Sequence, residues 1–128
     1  MREQTMPKYL LIQNYEGGRG CDTPMGEWDS ADIRAHIDFQ VALNAELSAA
    51  GELVDAQGLG QTVTVVVSDG VGTEATAAPA DGRVAGYRLV DVVSVDRALE
   101  IAARCSAAPA QGGRAIQQPV EVREVLSH

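Results

Sequence analysis

The segment SADIRAHIDFQVALNAELSAAGELVDAQGLGQTVTVVVS, residues 30–68, decides the fold class of this chain. Its first half predicts a long helix, roughly Ser30 to Ala50, which Gly51 can end in a left-handed conformation. Its second half predicts two short strands, at 52–59 and 62–68, because β-branched residues become frequent there. A helix followed directly by strands indicates a domain in which helices pack on a sheet.

The flanking sequence supplies the remaining elements. Short apolar runs predict three more strands, at 8–14, 85–93 and 120–126. Ser94 can cap a second helix over about residues 95–107. Four of these five strands and the two helices fit the order β-α-β-β-α-β, and residues 71–84 hold weakly specified extra structure. This order predicts an α+β, ferredoxin-like sandwich, in which one antiparallel sheet carries both helices on one face.

The opposite face of such a sheet also needs a cover, because strands this apolar are rarely left in water. A second copy of the same sheet is a natural cover, and symmetric dimers are the commonest oligomers. We therefore expect a homodimer in which two sheets face each other across a shared cavity. The subunit is then one half of a dimeric α/β barrel.

Length, composition and charge limit the classes of function. The chain has 128 residues, which suits one domain over residues 8–126, with residues 1–7 as a flexible N-terminal extension. A net charge of −8 argues against a nucleic-acid partner, which needs clustered lysine and arginine. Short apolar stretches and the lack of a signal peptide predict a cytoplasmic protein that does not span a membrane. With two histidines and two isolated cysteines, we expect no metal site and no cofactor.

The predicted first helix carries a line of polar side chains on its apolar face. At about 100° per residue, His36 falls within an apolar arc, and Asp32 and Gln40 lie four residues on either side of it. The arc consists of Ile33, Ile37, Phe39, Leu43 and Leu47. A carboxylate at Asp32 can orient the imidazole and fix its tautomer. Two interpretations stay open for His36: a packed, hydrogen-bonded residue, or a catalytic acid or base that lines a ligand cavity.

Gln40 is a candidate for ligand binding, and so are three further residues. Trp28 precedes the helix, where it can pack against the helix start or act as a lid on a cavity. Tyr87 can pack as a core or interface ring, or point its hydroxyl into the cavity between subunits. Arg123 shares a strand face with Glu121, and either forms a surface ion pair with it or holds a carboxylate ligand.

An ordered set of short stretches runs through most of the chain. The stretches are KYLL (8–11), MGEW (25–28), SADIRAH (30–36), AAGELVDAQGL (49–59), AGY (85–87), SAAP (106–109), GG (112–113) and EVR (121–123). In this order they resemble the YCII-related family, specifically its DGPF-domain branch, over about residues 7–126. The resemblance implies a ferredoxin-like subunit that dimerises as an α/β barrel. The signature Asp-Gly-Pro-Phe, expected in residues 71–82, is absent from this chain.

The resemblance also bears on function. Shorter relatives imply a His/Asp pair for acid–base or lyase-type chemistry, and His36 fits the helix position where the family often has histidine. The branch further implies an association with extracytoplasmic-function sigma factors. The first hypothesis is a dimeric small-molecule-binding or regulatory protein, with a sigma factor as partner. The second is a cofactor-independent lyase or isomerase that uses His36 as general acid or base, and the third is a purely structural dimer.

Overall fold

The computed structural model describes residues 7–16 and 18–126, and the predicted extension lies outside this part of the chain except for Pro7. It contains two α-helices and six strands. They are β1 (Lys8–Asn14), α1 (Ser30–Ala49), β2 (Leu53–Gly58), β3 (Val63–Ser68), β4 (Thr73–Ala78), β5 (Val84–Asp91), α2 (Val95–Ser106) and β6 (Glu121–Glu124). Gly51 has a φ of +75° just after α1, which confirms the predicted helix end.

Four of the strands form one antiparallel sheet in the order β2-β5-β1-β6. The fold is therefore α+β, and it is compatible with a ferredoxin-like arrangement. Residues 53–58 and 63–68 follow each other along the chain but do not pair. Strand β3 pairs instead with β4, in a separate two-stranded hairpin that we call the arm, residues 63–78. The predicted element order was therefore incomplete, because residues 73–78 form a full strand.

The arm is closed by a tight turn. The Oδ1 atom of Asp69 accepts hydrogen bonds from the backbone N–H groups of Val71 and Gly72, both at 2.9 Å. Gly70, between Asp69 and Val71, has a φ of +91°, a backbone conformation that residues with a side chain rarely adopt. Most arm residues are exposed, including Val66 and Val67. The turn thus organises a hairpin that stands away from the core.

Both helices cover the same face of the four-stranded sheet. Tyr9 and Leu11 of β1 and Val90 of β5 are buried there against Leu43 and Leu47 of α1. The same core contains four residues of α2, namely Ala98, Ile101, Ala102 and Cys105. Ile37 was predicted on the apolar arc but is 50% exposed. It lies about 100° around the helix from His36, so it turns away from the sheet.

On the opposite face of the sheet, no helix or strand of the described residues packs on the centre. Because Tyr9 and Leu11 point towards the helices, Leu10 and Ile12 point the other way. Their partners on β5 are Leu89 and Tyr87, and these four side chains form what we call the open face. Its aliphatic residues are half-buried within the single chain.

Among the helices of the described residues, none combines the length and apolar character needed to cross a membrane. The same residues contain no group of three or more His, Cys, Asp or Glu side chains placed to hold a metal ion.

Candidate functional site

A cleft of about 720 Å³ opens between α1 and the end of the sheet where β1 and β2 finish and β5 begins. Its walls come from α1, from the three strand ends, and from the loops at 15–28 and 109–118. The residues that line the cleft include six with side-chain amides and four with charges. The amides are Gln13, Gln40, Asn44, Gln57, Gln61 and Gln118, and the charged residues are Glu16, Asp22, Asp81 and Arg88. Trp28, Ile116, Pro24 and Met25 add apolar surface. The cleft is therefore large enough for a small organic molecule and mixed in character.

Strand and helix periodicity explain why the layer turns polar at this end. On β1, the helix-covered face reads Tyr9, Leu11, Gln13, and on β5 it reads Val90, Arg88. On α1, the inward line runs backwards from Leu47 and Leu43 to Gln40 and His36. Along β1, β5 and α1, the inward-facing residues thus change from apolar to polar at the same level of the sheet. The apolar core ends at this level and the cleft begins.

Arg88 is the only charged residue among those buried in the described part of the chain, with 5% of its surface exposed. Its Nε donates to Asn44 Oδ1 at 2.7 Å, and its Nη1 to Cys105 Sγ at 3.4 Å. Its Nη2 donates to Gln40 Oε1. Burial raises the pKa of the Cys105 thiol, while the Arg88 charge opposes that shift in part. All three partners of the guanidinium are thus neutral at neutral pH.

The hydrogen bonds of His36 assign its tautomer. Its Nδ1 lies 2.9 Å from the carbonyl oxygen of Pro109, which can only accept, so Nδ1 carries the proton. Its Nε2 lies 3.4 Å from Gln40 Nε2. Because Gln40 Oε1 already accepts from Arg88, the Gln40 amide presents its N–H₂ group to the ring. In the row Arg88–Gln40–His36–Pro109, each contact therefore joins one hydrogen-bond donor to one acceptor.

Asp32 does not orient His36, contrary to the prediction. Its Oδ2 accepts from the backbone N–H of Gly112 at 3.0 Å, and the ring of His36 takes Pro109 as its partner instead. Gly112 lies in a short 3-10 turn over Gln111–Gly113, which packs beside the start of α1. Asp32 thus anchors a loop of the cleft wall, while a backbone carbonyl orients the imidazole.

Trp28 takes the first of the two roles considered for it, packing against the helix start, and it also lines the cleft. It is buried, its Nε1 donates to Thr23 O at 2.9 Å, and it clusters with Ile33 one turn into α1. This is the placement of a hydrophobic staple at the start of a helix. Trp28 also lines the cleft, and its ring meets the ring of His36 edge-on at a centroid distance of 5.7 Å.

The other two predicted ligand-binding residues are used differently. Tyr87 borders the cleft, but its hydroxyl donates to Asp55 Oδ2 at 2.8 Å. This bond lowers the pKa of Asp55 and raises that of Tyr87. Arg123 on β6 is exposed, and it pairs in register with Leu10 on the side of the open face. The structure thus brings together His36, Gln40 and Trp28, and leaves Arg123 away from them.

Two residues of the site were missed by sequence reasoning, Arg88 and Asn44. Asn44 lies four residues after Gln40, so extending the polar line of α1 by one turn finds it. Arg88 alternates with Val90 on a strand of otherwise apolar inward residues, which is a weaker signal. Its importance depends on which sheet face the helices cover, and that is a tertiary property.

The glycine-rich loop before Trp28 builds part of the cleft wall by backbone packing. A Cβ atom on Gly18 would lie 1.9 Å from Ile116 O, and one on Gly20 would lie 2.0 Å from Ala115 O. Gly20 N–H donates to Ile116 O at 2.9 Å. These glycines therefore allow two loop backbones to touch.

No protein-family model matches this chain, and no curated protein matches it either.

Proposed function

We propose that this chain is a small-molecule-binding protein of the YCII/DGPF type, a ferredoxin-like subunit that forms homodimers and acts in the cytoplasm. The cleft beside α1 is its binding site, and association with a sigma factor is the regulatory role that the resemblance implies. One observation carries the proposal: a hydrogen-bonded row of polar side chains, Arg88–Gln40–His36, lies on the wall of an open cleft.

Physical reasoning favours a ligand over a purely structural row. Buried polar groups need partners, and a partly solvated network stabilises a fold no better than apolar packing does. A large cleft with a few fixed polar groups among apolar side chains is typical of small-molecule sites. Trp28 and the row together supply an apolar wall and oriented donors.

The intrinsic fluorescence of Trp28 tests this proposal directly, because it is the single tryptophan of the chain and lines the cleft. We would titrate the protein with fragments of three classes, namely carboxylates, amides and amines, and map binding by amide NMR shifts. We expect at least one class to saturate Trp28 fluorescence and to shift amides around the cleft.

The Gln40→Leu variant should weaken that binding, since it removes the centre of the row. Gln111→Leu is the matched control, because Gln111 is exposed and outside the cleft lining. If no fragment of the three classes shifts the cleft amides, the binding function is wrong.

A catalytic function is the second candidate, and the orientation of His36 favours it. Pro109 holds the proton on Nδ1, so Nε2 is the basic nitrogen, as a general base requires. Among the described hydrogen bonds, however, no carboxylate reaches the ring. We would follow exchange of C–H protons for deuterium in bound carboxylate fragments by NMR. A lyase or isomerase should catalyse exchange, and His36→Gln should abolish it while fragments still bind.

The homodimer is proposed from the open face. Leu10, Ile12 and Leu89 form an apolar centre that nothing in the described chain covers, and burying such a face stabilises self-association. Light scattering should give about twice the chain mass of 13.5 kDa. Leu10→Lys should shift the protein to monomer, whereas Leu99→Lys, on an exposed position of α2, should not. A wild-type monomer at high concentration would contradict the proposal.

A further inference from the structure

We propose that the cleft beside α1 takes a small organic monocarboxylate, with the carboxylate bound by the buried guanidinium of Arg88. This inference rests on the proposed binding function and names the chemical class of its ligand.

The first argument is that Arg88 lacks a counter-charge. Two other arginines of the described chain have carboxylate partners: Arg97 makes a bidentate pair with Glu52, and Arg104 pairs with Glu46. Arg88 is more buried than either, yet its partners are the neutral groups of Asn44, Gln40 and Cys105. The chain has 18 acidic residues from which a partner could be drawn. A buried cation without a counter-charge is costly even when neutral groups accept its hydrogen bonds, and a bound anion reduces that cost.

The second argument is the number of free donors. A guanidinium has five N–H groups, and Arg88 uses three of them, one each on Nε, Nη1 and Nη2. One N–H therefore remains on each Nη atom. Two N–H groups of one guanidinium can hold a carboxylate in a bidentate pair.

The third argument is the distribution of charge around the cleft. Glu16, Asp22 and Asp81 also line it, and all three are exposed. This acidic rim disfavours ligands with a second negative charge, such as phosphate dianions or dicarboxylates. The acidic rim is compatible with a ligand whose other end, away from Arg88, is neutral or positively charged. The edge of Trp28 and the side chain of Ile116 offer contact for an apolar body.

The test is a titration with matched probes, benzoate and benzamide, which have the same shape but differ in charge. Trp28 fluorescence and amide NMR shifts report binding in the cleft. We expect benzoate to bind at least tenfold more tightly than benzamide, and more tightly than phthalate or inorganic phosphate. Equal affinity for benzoate and benzamide overturns this inference but leaves the binding function standing. Tighter binding of phosphate overturns the choice of a carboxylate.

Variants of Arg88 complete the test. Arg88→Met should remove the tenfold preference for benzoate, while Arg123→Met, which changes an exposed arginine on β6, should preserve it. If Arg88→Met does not fold, Arg88→Lys serves instead, because it retains the charge but loses the fork and should weaken benzoate at least several-fold. An undiminished preference for benzoate in the folded variant overturns the inference.

Discussion

The layer between α1 and the sheet has two ends that are built from the same elements but differ in chemistry. At one end, Leu43 and Leu47 meet Leu11 and Val90 in a dry core that α2 closes. At the other end, one to two turns earlier on α1, Gln40 and His36 face a cleft open to solvent. The same helix therefore contributes to a core and to a candidate binding site.

The difference is explained by where α2 lies. Its buried residues join the apolar end, and only Cys105 reaches the guanidinium of Arg88. Beyond Cys105 the chain continues as a loop, so α1 alone covers the polar end. A sheet covered by two helices excludes water, whereas one covered by a helix and loops leaves room for a ligand. We expect stability to depend on the first end and binding on the second.

Replacing Leu47 by Ala should have the largest effect on stability. Leu47 is fully buried in the apolar end, so its truncation removes buried methyl groups and leaves a cavity. We expect the free energy of unfolding to fall by about 2–5 kcal/mol in urea denaturation. Ile37→Ala on the same helix is the control and should cost less than about 1 kcal/mol, since Ile37 is half-exposed. Equal losses of stability in Leu47→Ala and Ile37→Ala would contradict the assignment of Leu47 to the core side of α1 and Ile37 to its solvent side.

Adding a methyl group at Gly18 should disturb the wall of the polar end. The new Cβ would overlap Ile116 O, so the two loops must separate. We expect a loss of about 1–3 kcal/mol by denaturation, with faster hydrogen exchange at Gly20 N–H. Gly26→Ala is the matched control, because a Cβ there meets nothing within 4 Å. Unchanged exchange at Gly20 would mean that the loops do not need this contact.

Helices and strands were predicted from the sequence more accurately than the tertiary contacts of individual side chains. The helices and most strands carry local signals, such as capping residues, a closing glycine and β-branched runs, so their bounds were predicted to within about two residues. Residues 73–78, TEATAA, have weak strand propensity, and only pairing with β3 makes them a strand. In the site, the helical line His36–Gln40 was predicted because it is local. The partner of Asp32 lies 80 residues away, and the role of Arg88 depends on sheet packing, so neither could be predicted.

Low pH should lower the free energy of unfolding, because protonation of Glu52 weakens its ion pair with Arg97 at the apolar end. The bidentate bond from Arg97 holds the pKa of Glu52 below its usual 4.5, and it joins the start of α2 to the residue before β2. A carboxyl whose pKa is lowered by folding stabilises the fold above pH 4.5, and this contribution is lost as the pH falls through the folded-state value. Glu52→Gln should therefore cost about 1 kcal/mol at pH 7 and flatten the loss of stability below pH 5. Glu100→Gln, which removes only the exposed 3.6 Å ion pair between Glu100 and Arg97, should cost less than Glu52→Gln at pH 7.

Removing the charge of Arg88 should have the smallest effect on stability, although Arg88 is as buried as many core residues. Replacing a buried ion pair by apolar side chains of similar volume is often neutral or stabilising. Among its described hydrogen bonds Arg88 has no carboxylate partner, so its replacement leaves no unpaired buried charge behind. Met is unbranched and can follow the same path. The amides of Asn44 and Gln40 border the cleft, so water can satisfy them in the variant. We expect Arg88→Met to change the free energy of unfolding by less than about 1 kcal/mol in urea. A loss as large as that of Leu47→Ala would instead make Arg88 a structural member of the core. A small change would mean that the polar end is not retained for stability, which is the behaviour expected of a binding site.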